Sequence, residues 1–135
     1  MTAMPENGAP TTQALAGHVR TYLRRVAARG EPITYKELAE ALELVPPNTI
    51  HQVTEALEWL MQEDAANEHP FIAALVIGRA RGGLPAPGFF DVARDLGRFD
   101  GNPSGSDAAA SHGAMFDAAV AFCSVTDLTE SGGGA

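Results

Sequence analysis

Two adjacent prolines, Pro46-Pro47, constrain this chain most. A proline has no backbone N–H to give a helix, and the residue before it is steered out of the helical region. The helical pattern preceding this pair must therefore stop at it, and a second one must begin beyond it. On the near side, Thr34-Tyr35-Lys36-Glu37 reads as a capping box, with Leu38 and Leu42 facing inward. On the far side, Asn48 or Thr49 caps a helix whose apolar stripe is Ile50, Val53, Leu57, Leu60 and Met61. The sequence thus predicts helices over 35–44 and 48–66, joined by a short connection around Leu44–Pro47.

An earlier helix over 12–29 is predicted from Leu15, Val19, Tyr22, Leu23 and Val26, with Arg29 near its negative end and Gly30 as its stop. Phe71–Ile77, an apolar run between Pro70 and Gly78, reads as a buried strand. The Gly/Pro-rich stretch after it reads as a loop, followed by a short helix near 89–96. Residues 1–10 read as a disordered lead, 11–99 as one domain, and 100–135 as a linker, a short helical piece at 115–122 and a flexible tail. The fold class expected is mainly α with a small β element, a winged helix-turn-helix-like single domain. A three-helix bundle with one added strand is the alternative.

The formal net charge of −8 argues against a phosphate-binding surface, but the charge is segmental. Residues 12–30 carry four arginines and no acid, whereas 31–68 carry nine acids against Lys36 alone. Residues 71–99 return to a small positive excess through Arg79, Arg81, Arg94 and Arg98. The N-terminus lacks the pattern of a signal peptide, and no apolar run is long enough to cross a bilayer, so no membrane association is expected. The single cysteine, Cys123, fits a reducing compartment, and a cytoplasmic location is expected.

The segment Gly30-Glu-Pro-Ile-Thr-Tyr-Lys-Glu-Leu-Ala39, the proline-bearing turn and the helix after it resemble the DNA-binding domain of the alkylguanine-DNA alkyltransferases and their catalytically inert alkyltransferase-like relatives. The resemblance spans about residues 30–83 and implies a winged-helix fold with a DNA-facing recognition helix. It places Tyr35 where the family's tyrosine presses on the DNA backbone, and His51 where the family's base-replacing arginine stands. The family's Pro-Cys-His-Arg active site would fall within Phe71–Ile77, which holds no cysteine, histidine or arginine. Alkyl transfer is therefore not expected, and no catalytic residue is assigned. Cys123, between Phe122 and Ser124, reads as a small buried hydrophobe.

Two functions are compatible with these residues. In a DNA-binding module, Tyr35, Thr49, His51 and Gln52 would face the duplex and Arg79 and Arg81 would meet phosphates, against the like charge of Glu55 and Glu58. In a protein-interaction module, the acidic second and third helices would present Glu55 and Trp59 to a partner, or the basic first helix would serve instead. Helical geometry sets Trp59 nearly opposite the apolar stripe, with His51, Gln52, Glu55 and Gln62. The indole is expected to be covered by the segment from Phe89 onward, the alternative being an exposed anchor. The histidines show no metal-ligand spacing, and neither a metal nor another cofactor is expected.

Overall fold

The computed structural model describes residues 12–78, 83–101 and 106–134, with 125–134 described as backbone alone. The architecture is mainly helical with a small parallel sheet. In chain order the elements are α1 (Thr12–Arg29), β1 (Ile33–Thr34), α2 (Tyr35–Ala41), α3 (Thr49–Ala66), a 3-10 turn (Ile72–Leu75), β2 (Val76–Ile77), α4 (Pro87–Asp95) and α5 (Ser106–Gly134).

Helix α1 buries Leu15, Ala16, Val19, Leu23, Val26 and Ala27 and packs against α3. Gly30, at φ 68°, then turns the chain out of the helix. The capping box of α2 forms as the residues imply. The Glu37 N–H donates to Thr34 Oγ1 and the Thr34 N–H to Glu37 Oε1, each at 3.0 Å. The helix is shorter than expected, because Glu43 at φ 54° is already left-handed. The Glu43 and Leu44 N–H groups fold back onto the carbonyls of Glu40 and Ala39, closing the helix end before the prolines are reached. Asn48, at φ 65°, opens α3 through its carbonyl, which accepts from the Gln52 N–H at 3.0 Å.

Phe71–Ile77 departs from the single strand expected. Only Val76 and Ile77 are extended, pairing in parallel with Ile33 and Thr34. Ile72–Leu75 instead close a 3-10 turn with every side chain buried. A short, wholly buried apolar run has no periodicity to separate strand from helix. Two distant side chains favour the turn. Asp64 of α3 accepts the Ile72 N–H at 3.0 Å, and His112 of α5 hydrogen-bonds the Ala74 carbonyl through Nε2 at 2.8 Å. Because a carbonyl only accepts, that imidazole nitrogen carries a proton.

The second departure is α5. It begins within the stretch read as linker and continues into the glycine-rich end, far beyond the piece expected at 115–122. It packs on α1 and on the 3-10 turn, burying Ala108, His112, Ala119 and Cys123. One core therefore runs past residue 99. Its aromatic part links Phe71, Phe89, Phe90 and Phe99, with ring centroids 4.9–6.0 Å apart. The Arg98 guanidinium lies 4.4 Å over Phe71, and its Nη1 donates to the His69 carbonyl at 2.6 Å. Among the described residues, no helix is long and apolar enough to cross a membrane.

Candidate functional site

The surface formed by α2, the turn after it and the first half of α3 collects most of the candidate residues. Thr34, Tyr35, Lys36, Ile50 and Gly78 line one shallow groove where the N-termini of α2 and α3 meet the end of β2. Tyr35 is half-buried, and its hydroxyl accepts the Ala86 N–H at 2.9 Å, fastening the chain that enters α4. Thr49 opens α3 and is partly exposed. Arg79 and Arg81 lie outside the described residues.

Both donors of the Gln52 amide point back into the turn, to the carbonyls of Val45 at 3.2 Å and Pro47 at 3.1 Å. Gln52 thereby satisfies backbone that the prolines leave without a helical partner. His51 is exposed, and its Nε2 lies 3.2 Å from Glu55, one turn along α3. Glu58 lies beside the start of α4, its Oε2 3.7 Å from where a side chain on Gly88 would begin. Burial raises the Glu58 carboxyl above the usual carboxylate range, Glu55 raises it further, and His51 opposes the shift.

Of the apolar stripe read in α3, Ile50 is not buried. Val53, Ala56, Leu57, Leu60 and Met61 form the buried face of α3, and Ile50, on the same face but in the first turn, reaches past the core. Ile50 is 44% exposed and Val45, just before the prolines, 74%. Trp59 lies on the outward side of α3, 38% exposed, with its Nε1 donating to Glu63 Oε2 at 3.1 Å. The segment from Phe89 packs its rings on Phe71, Phe99 and His112 instead of closing over the indole.

On the far flank of α3 lies a network that sequence reasoning missed. Arg20 of α1 reaches Glu63 at 3.2 Å and Asp64 at 2.9 Å, while the other oxygen of Asp64 holds Ile72. Asp64 is almost wholly buried, and burial raises its carboxyl; Ile72, Arg20 and His69 pull it back down. In the sequence, Glu63-Asp64 reads as a solvated helix end. The signal available was position: Asp64 falls one turn beyond Leu60 on the core stripe.

Chemically, the α2–α3 surface offers exposed apolar groups among carboxylates. Among the described residues, no group of three or more His, Cys, Asp or Glu side chains is arranged to hold a metal ion. Comparison with protein-family models, with curated proteins and with solved structures gave no match, so the function of this surface is argued from its own residues.

Proposed function

We propose that this chain is a non-catalytic binding module on a helix-turn-helix-like scaffold, and that its α2–turn–α3 surface takes a basic segment of a partner protein. The winged form of that scaffold is supported by the order of its helices and short strands. A cytoplasmic setting is supported by the lone cysteine.

The observation that carries the protein-binding reading is the pairing of exposed Val45 and Ile50 with exposed carboxylates at Glu40, Glu43 and Glu55. Apolar groups beside a majority of carboxylates suit a partner that brings its own apolar anchors and the opposite sign. Duplex DNA is the competing reading, favoured by Tyr35 and Lys36 sharing one groove with Ile50. Against it, the Gln52 donors are spent on the turn and His51 leans on Glu55.

A synthetic amphipathic Lys/Leu peptide is a suitable probe, titrated into the full chain while amide shifts are followed by NMR. Saturable shifts should concentrate between Val45 and Glu55. Val45→Ser with Ile50→Ser should weaken binding by about tenfold or more, the loss of two apolar anchors. Shifts spread over α1 and α5, or a double variant that binds as well as wild type, would remove the assignment.

A further inference from the structure

Helix α1 carries four arginines and no acid, and the helical repeat divides them between two flanks. Arg20 and Arg24 line the flank that meets the C-terminal half of α3. Arg25 and Arg29, one turn apart, fall on the other flank, and both are exposed. Tyr22 lies on the same stripe, three residues before Arg25, half-buried against the core. Among the described residues, the side chains of Arg25 and Arg29 have no hydrogen-bond or ion-pair partner. A tyrosine flanked by two exposed arginines is the combination that most often anchors a protein interface.

The α2–turn–α3 surface carries the complement of this face. Glu40 and Glu43 are exposed where α2 ends, and their carboxylates also have no partner among the described residues. Exposed Val45 and Ile50 lie beyond them along the chain, and Glu55 adds a further carboxylate. One molecule thus holds both halves of a charge-matched contact on separate elements. The net charge of −8 repels two copies at long range. At about 0.1 M salt that repulsion is screened beyond about 10 Å, while charges in contact are screened far less.

We infer that the basic segment taken by the α2–turn–α3 surface is α1 of a second copy of this chain. Arg25 and Arg29 meet Glu40 and Glu43, while Tyr22 and the aliphatic stems of the two arginines cover Val45 and Ile50. Self-association of this kind needs no further component, and most soluble oligomers are made of identical chains. The inference rests on the partner-binding reading and names its partner.

The test is sedimentation velocity of the full chain at about 0.1 M salt, over concentrations up to about 1 mM. The weight-average sedimentation coefficient should rise with concentration, and the rise should shrink at about 1 M salt. Arg25→Glu/Arg29→Glu and Glu40→Lys/Glu43→Lys should each associate at least about tenfold more weakly. An equimolar mixture of the two variants should associate again, because each then carries the sign that the other lacks. Arg25→Glu/Arg29→Glu keeps the turn surface and should still take the Lys/Leu peptide. Wild type that stays monomeric over this range would overturn the inference, as would single variants that associate like wild type or a mixture that stays monomeric. Peptide binding that persists in any of these cases leaves the partner-binding reading standing, whereas its absence removes both. If a charge-reversed variant fails to fold, Arg25→Gln/Arg29→Gln and the salt series on wild type decide instead.

Discussion

Asp64 shows how one side chain can set the local path of the backbone. It leaves α3, holds Arg20 of α1 and caps the 3-10 turn, so three elements meet on one carboxyl. Asp64→Ala removes the acceptor for a buried N–H and the inner anion of Arg20, which should cost about 2–4 kcal/mol. Asp64→Asn keeps an acceptor for Ile72 but turns an amide N–H toward Arg20, and should cost about 1–2 kcal/mol. Burial raises the Asp64 carboxyl in the folded state, so folding takes up a proton there. The stabilisation from that proton is full in acid, below the ordinary carboxylate range, and is lost as pH rises through the raised value. Urea denaturation across an acidic pH series should therefore show the wild-type advantage over Asp64→Asn shrinking as pH rises. An advantage that widens instead would mean that ion pairing outweighs burial at this site.

Helix ends determine much of how the elements are placed. Helices α2 and α3 both stop on a left-handed glutamate, Glu43 at φ 54° and Glu68 at φ 60°, whereas α4 stops on Gly97 at φ 80°. In each, the two N–H groups past the cap fold back onto the last turn. Glycine accepts this conformation without the penalty of a side chain. Glu43→Gly and Glu68→Gly should each stabilise the protein by about 0.5–1 kcal/mol, and Gly97→Ala should destabilise it by about 1 kcal/mol. Thermal unfolding of the three variants checks the signs. The same elements show what was legible in the sequence. Helix α1, the capping box and the start of α3 could be read, because period, cap and proline act locally. The 3-10 turn could not, since its geometry depends on Asp64 and His112, which come from other helices. Nor could most of α5, whose alanine- and glycine-rich composition resembles a linker until α1 and the 3-10 turn give it a surface to cover. Of the candidate site, the positions of Tyr35, His51 and Glu55 near the turn were readable. The inward use of Gln52 and the exposure of Ile50 were not, because one depends on where the turn leaves its carbonyls and the other on how far the core reaches along α3.

At the scale of the molecule, charge separates along with structure. Arg20 and Arg24 of α1 lie on the side that meets the C-terminal half of α3, where Arg20 is drawn into ion pairs. The turn side is left with Glu40, Glu43 and Glu55 exposed around Val45 and Ile50. A phosphate backbone approaching that side meets like charge, and a cationic segment meets opposite charge. The most direct test is fluorescence anisotropy at low salt, with the labelled Lys/Leu peptide and a labelled DNA duplex titrated in parallel against wild type and the Glu55→Gln/Glu58→Gln double variant. The account predicts saturable peptide binding that weakens in the double variant and with added salt, and no duplex binding by either protein. Saturable duplex binding by wild type, strengthened when both glutamates are neutralised, would contradict it and make this surface a DNA-binding one.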